Sequence, residues 1–206
     1  MNNSSGKKEM RYAIFGGSFD PVHIGHLKLA MAAVEQMDID KLFLMPNYIS
    51  PFKQDSKVTA TEDRVAMAEL LLPYNEAFVV STYEVDRSGP SYTSETLSHF
   101  REILDGELYF VLGFDSVLTI DKWHCAEELM EYPMITGRRP GTEDAEGLAK
   151  IEELNHKYGA DITVLTIEPF DASSTEIRQR VREGKSTEGL LLPEVRKYID
   201  DHSLYR

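Results

Sequence analysis

The chain has 206 residues, 42% hydrophobic and 28% charged, so it can bury a proper core and one domain is the expectation. Its 22 Lys plus Arg against 35 Asp plus Glu leave a formal net charge of -13, which speaks against nucleic-acid or anionic-membrane binding, since either needs a basic face. The single cysteine, Cys125, excludes an internal disulfide and fits a reducing, cytoplasmic compartment, and no apolar run approaches transmembrane length or resembles a signal peptide.

Residues 1–10 (MNNSSGKKEM) are expected to form a disordered tail or to be a cloning remnant, and residues 11–206 the domain. The apolar run Ala13-Ile14-Phe15 then leads into GGSFDPVHIGH, residues 16–26, and on to apolar residues at helical spacing, Ile24, Leu27, Met31 and Val34. That is strand, tight loop, helix. Gly16 and Gly17 permit close approach of an anion to main-chain N–H groups, and a helix N-terminus aims its dipole at the same place. His23 and His26, three apart, share one face of the first turn. Each feature alone is ordinary, but together they read as a phosphate cradle.

A second buried strand is expected at 41–45, then a loop containing Pro51 and Lys53, then a helix from Thr61 whose Val65, Ala68 and Leu72 share a face. The β-branched and aromatic stretch 77–85 (AFVVSTYEV) predicts a third strand, and Ser91-Tyr92-Thr93 opens a helix carrying Leu97 and Phe100. Strands at 108–112, 133–136 and 162–167 complete the set, with a helix over 143–158. This alternation predicts an α/β fold, a Rossmann-like doubly wound parallel sheet in a single domain. Its ligands should bind at the carboxyl edge, where the loops after the strands gather.

The helix after the last strand opens with Ser173-Ser174-Thr175-Glu176-Ile177-Arg178. Ser173 and Glu176 have capping-box spacing. The same segment, with hydroxyls and an arginine one turn in, is also a second anion cradle, and two facing cradles suit a polyphosphate. Trp123, on a loop at the binding edge, can be core or can stack a heteroaromatic ring. Gly184-Lys185-Ser186-Thr187 only imitates the end of a phosphate-binding P-loop: Gln179 stands where the earlier glycine belongs, and a helix end is expected. No Cys/His spacing suggests a metal site, and no Ser/His/Asp order suggests a triad.

With GGSFDPVHIGH, MPNYISPFK, EVDRSGPSYTSETL, GFDS, Trp123, RRPG and SSTEIR in place, the chain resembles the bacterial nicotinate-nucleotide adenylyltransferases of the nucleotidyltransferase superfamily, from Tyr12 to Leu204. The resemblance implies transfer of AMP from ATP, with Mg²⁺, to nicotinate mononucleotide, giving deamido-NAD and pyrophosphate. His23, His26 and Arg178 become the catalytic candidates. The ATP side is assigned Gly16, Gly17, Ser18 and Phe19, with Gly113 and Asp115 near a ribose and Ser173, Ser174, Thr175 and Arg178 on the polyphosphate. Tyr92, Thr93, Trp123 and His124 are placed at the nicotinate ring and its carboxylate, and Lys53 and Arg139 elsewhere on the mononucleotide. Phe52 stands where the family often has histidine, and His124 where it often has tyrosine.

Three other readings compete. Nicotinamide mononucleotide or phosphopantetheine could replace the acceptor. His23-Ile24-Gly25-His26 is also the HIGH motif of aminoacyl-tRNA synthetases, but the chain has no KMSKS-like segment and no room for a tRNA-binding domain. A nucleotide sensor would bind ATP without turnover. The expected partners are small molecules, with neither nucleic acid nor membrane, and a homo-oligomer is left open.

Overall fold

The computed structural model describes residues 8–49, 58–138, 145–168, 170 and 172–206. In chain order the elements are β1 (Met10–Gly17), α1 (Ile24–Met37), β2 (Lys41–Pro46), α2 (Thr61–Glu69), β3 (Phe78–Val80), α3 (Tyr83–Arg87), α4 (Thr93–Ile103) and β4 (Gly106–Gly113). There follow α5 (Phe114–Val117), α6 (Ala126–Leu129), β5 (Met134–Arg138), α7 (Ala145–Tyr158), β6 (Ile162–Thr166), α8 (Ser174–Arg182) and α9 (Pro193–Asp201). The strands form one six-stranded parallel sheet in the order β3-β2-β1-β4-β5-β6, the doubly wound arrangement expected. β1 pairs with β2 on one side and β4 on the other, so strand order reverses there and the crevice at its carboxyl end is the predicted binding edge.

Because strand side chains alternate, β1 feeds two cores: Ala13 and Phe15 face one layer and Ile14 the other. The first layer packs α1, α2, α8 and α9 through residues such as Ala30, Met67, Ile177 and Val195. The second packs α4, α6 and α7 through Leu97, Leu129 and Leu154. A fully buried leucine such as Leu42 or Leu97 contributes roughly 1.5–3 kcal/mol from burial alone.

Four details differ from the sequence reading. Met10 already pairs with Gly106, so β1 starts inside the expected tail. The strand predicted over 77–85 stops at Val80 and the chain turns helical at Tyr83, which sends Glu84 inward to Thr96 and sets Tyr83 edge-on against Phe100. Tertiary contacts override β composition there. The inward stripe of α2 and its extension is Arg64, Met67, Ala68 and Leu71, whereas Leu72 is exposed. An arginine opens that stripe, which is why apolar spacing missed its phase. Finally, α9 and the short α5 and α6 were not anticipated. The P-loop lookalike is a helix end as expected: Gly184, at φ +64, ends α8 with Gly184 N–H donating to Val181 O and Lys185 N–H to Arg180 O, a Schellman closure.

Candidate active site

β1 delivers Gly16 and Gly17 to the switch point, and the loop after them leads to His23, the N-cap of α1. The two histidines cap this helix reciprocally. Gly25 N–H donates to His23 Nδ1 at 3.1 Å, and His23 N–H donates to His26 Nδ1 at 3.1 Å. In the capping box these roles belong to a hydroxyl and a carboxylate. Because each Nδ1 accepts a backbone N–H, the ring proton of each imidazole is assigned to Nε2, a donor suited to phosphate oxygen. The rings lie 3.8 Å apart, centroid to centroid, and the Phe19 ring meets His26 edge-on at 5.0 Å. Phe19 is fully buried, and its side chain packs beneath His26. Between the histidines, a Cβ on Gly25 would come within 2.3 Å of the Phe170 ring, so this position has no room for a side chain.

The SSTEIR segment touches this loop directly. Ser174 Oγ donates to Pro21 O at 3.0 Å, and Arg178 Nη1 donates to Asp20 O at 2.7 Å and Nη2 to Thr175 Oγ1 at 3.3 Å. Ser173 Oγ caps α8 by accepting Glu176 N–H at 3.2 Å, while the Glu176 carboxylate takes Arg180 at 2.8 Å. The expected box is thus half made.

Arg64, which sequence reasoning passed over, holds the loops from behind. Its buried guanidinium donates to Ser18 O at 2.9 Å, Asn47 Oδ1 at 3.2 Å, Tyr48 O at 2.9 Å and Thr59 O at 3.1 Å. Burial works against its charge and lowers its pKa, with the Asp20 carboxylate the leading opposing influence. The detectable signal was its register with Met67, Ala68 and Leu71.

Beside the glycine turn lies a cavity of about 370 Å³. Its lining includes Gly16, Gly17, Ser18 and Asn47 together with Tyr92, Thr93, Trp123 and His124. Trp123 stands edge-on to Phe110, centroids 6.2 Å apart, and Tyr92 lies against His124 at 4.4 Å. Thr93 opens α4, and among the described residues no side chain caps that helix, so its positive end faces the cavity through Thr93. Glu84 also lines the cavity, only 8% exposed, accepting Thr96 Oγ1–H at 2.7 Å. Burial pushes its carboxyl pKa up, and the Thr96 and Ser91 hydrogen bonds offset part of that.

Some expected residues stand apart from this cavity. Gly113 is exposed at the end of β4, Asp115 on α5 and Thr175 on α8. His23, His26, Ser173, Ser174 and Arg178 flank the glycine turn and do not line the cavity. Lys53 and Arg139, with Phe52, lie outside the described residues. Among the described residues no group of three or more His, Cys, Asp or Glu could hold a metal ion, and no helix is long and apolar enough to cross a membrane.

A parallel sheet of this order, with a histidine-bearing anion loop on its central strand and a cavity against it, defines a nucleotidyltransferase, and residues 14–180 match the cytidylyltransferase-like family. More narrowly, the chain belongs to the nicotinate-nucleotide adenylyltransferase family. It is 34% identical over 197 residues to a protein of Clostridium botulinum named a probable nicotinate-nucleotide adenylyltransferase, covering 95% of this chain and 98% of that one. A relative of the same name from Lachnoclostridium phytofermentans is 37% identical over 197 residues, with the same coverage of both chains. The fold is shared with the Plasmodium falciparum nicotinic acid mononucleotide adenylyltransferase complexed with NaAD, at a TM-score of 0.79 and 20% identity over 95% of this chain and 97% of that one.

Proposed function

We propose that the protein transfers AMP from ATP to nicotinate mononucleotide, releasing pyrophosphate and nicotinate adenine dinucleotide in NAD biosynthesis, because one cavity joins the glycine turn of the phosphate loop to an aromatic, helix-capped acceptor wall. A phosphate oxygen of the mononucleotide attacks the α-phosphorus of ATP, the bond from that phosphorus to the α,β-bridging oxygen breaks, and pyrophosphate departs. The attacking group is already an anion, so no general base is required, and catalysis reduces to alignment and charge stabilisation.

The Nε2–H donors of His23 and His26 bind the triphosphate, with His26 at the developing charge, and the positive end of α1 favours it through its dipole, since its first N–H groups are taken by Leu190 O and the His23 cap. Gly16, Gly17 and Ser18 offer close main-chain and hydroxyl contacts. Ser174 and Arg178 hold the facing segment against that loop and turn toward phosphate when ATP binds; Ser173 and Thr175 belong to the same helix start, and Gly113 and Asp115 to the ribose side. Mg²⁺ enters as part of the Mg–ATP substrate, which suits a cation that keeps phosphate oxygens and water as ligands. Trp123 stacks the pyridine ring, Tyr92 and His124 close over it, and the uncapped start of α4 at Thr93 attracts the ring's carboxylate. Lys53 and Arg139 complete the mononucleotide side. The lone, exposed Cys125 suits work in the cytoplasm.

Pyrophosphate release from Mg–ATP with either nicotinate or nicotinamide mononucleotide tests the reading. Turnover with the acid well above the amide is expected. No turnover with either overturns the assignment, and equal rates overturn the acid preference.

A further inference from the structure

The loop between the glycine turn and His23 is pinned from a distant part of the chain. Asp20 is only 6% exposed, and the phenol of Tyr205, 185 positions away, donates to its Oδ1 at 2.7 Å. The other carboxylate oxygen accepts Thr59 N–H at 3.4 Å, and the Asp20 carbonyl accepts Arg178. Tyr205 lies just beyond α9, where the backbone takes positive φ at Ser203 and again at Tyr205, so the chain turns back toward the loop. Its ring packs against the core layer that holds α1 and α8.

On the reading above, we infer that Tyr205 is a positioning residue for the ATP phosphates, acting through Asp20 to hold the loop that sets His23 and His26. Only Pro21 and Val22 separate Asp20 from His23, and Pro21 is where Ser174 attaches. A shift of Asp20 therefore moves the histidine cap and the facing helix start together. The phenol contact is a donor to a carboxylate away from water, the strongest class of neutral-donor hydrogen bond. Burial and the neighbouring Asp20 charge drive the Tyr205 pKa upward, which keeps the O–H protonated and donating across the whole working pH range. Without that proton, the Asp20 carboxylate keeps, among its described partners, the 3.4 Å hydrogen bond from Thr59 and the charge of the nearby Arg64 guanidinium, whose own hydrogen bonds go elsewhere. A carboxylate so placed draws toward solvent and takes the loop with it.

The test is Tyr205→Phe in the full chain, which keeps the ring and removes the O–H. Calorimetric affinity for a non-hydrolysable Mg–ATP analogue should fall about tenfold, and KM for ATP should rise to match, while KM for the mononucleotide stays within about twofold. Asp20→Ala should produce a similar loss, and the double variant should be no weaker than the worse single one, since both act through one contact. Unchanged analogue affinity in Tyr205→Phe, equal rises in both KM values, or effects that multiply in the double variant would each overturn the proposal. Should Tyr205→Phe fail to fold, Asp20→Ala carries the same comparison, and unchanged analogue affinity there also overturns it. The analogue measurement needs no acceptor, so it stands even if the wild-type chain proves inactive on nicotinate mononucleotide, a result that would fell only the assigned reaction.

Discussion

His23 donates its backbone N–H to Nδ1 of His26, so the second histidine of the loop is oriented by the first. That bond makes His26 both a helix cap and a candidate phosphate donor, and the two roles separate by substitution. Glutamine at this third helical position can still accept the same N–H. His26→Gln should therefore melt within a few degrees of wild type, yet lose roughly 10²–10³-fold in kcat, the usual cost of a missing transition-state donor. A variant that keeps near-normal kcat would reduce His26 to a cap.

The acceptor loop has its own anchor. Lys150 on α7 reaches Asp121 at 2.8 Å and Glu153 at 3.0 Å, and Asp121 lies two residues before Trp123. The Lys150 hydrogen bond holds the Asp121 carboxyl below the usual carboxylate range. Lys150→Met should raise KM for nicotinate mononucleotide by roughly tenfold and leave KM for ATP within about twofold, since only the loop carrying Trp123 and His124 is released. Steady-state kinetics with each substrate varied in turn decides this, and an equal rise for both would mean a general loss of structure.

Arg64 answers four acceptors on three segments, so its removal strands several buried polar groups at once. Arg64→Met should destabilise the protein by at least ~3 kcal/mol, lowering Tm by about 6–12 °C in calorimetry. A loss below ~1 kcal/mol would show that water replaces the guanidinium there.

Glu84 gives a pH dependence whose sign follows from burial. Its carboxyl is harder to ionise in the fold than in the unfolded chain, so the native state holds the proton more tightly. The associated stability is fully present below the ordinary carboxylate value of 4.5 and is lost as pH rises through the raised folded value. Glu84→Gln should thus match wild type near pH 4 and exceed it in thermal unfolding toward pH 8, a difference about as wide as the shift itself. A gap that does not change with pH would mean that ionisation at Glu84 costs the fold nothing.

The sheet was legible because buried parallel strands read as compact apolar runs, and all six runs lie in it. The third was read too long: Thr82 and Tyr83 have strand-like side chains, but the Glu84 to Thr96 contact, which no local pattern records, curls the chain into α3. The meeting of the two segments was legible as well, since glycines, histidines and a serine-rich helix start announce themselves by type, and Ser174 and Arg178 do meet the first loop. The supports were not. Arg64 was hidden by the habit of assigning arginine to solvent, and Tyr205 by 185 positions of sequence separation. The burial of the Phe19 ring under His26 was hidden for the same reason: position in a motif says which residues gather and does not say which way each one points.

β1 is hydrogen-bonded along its length to a strand on either side, with a packed layer above and below. Its amides should exchange with solvent only when most of the molecule opens, whereas the Trp123 segment, between the four-residue α5 and α6, is tied to the core chiefly by Ile120, Leu129 and the Lys150 to Asp121 pair. The cavity therefore joins a strand held on both edges and both faces to a segment held by a few side chains, and amide exchange at Phe15 should be far slower than at Trp123.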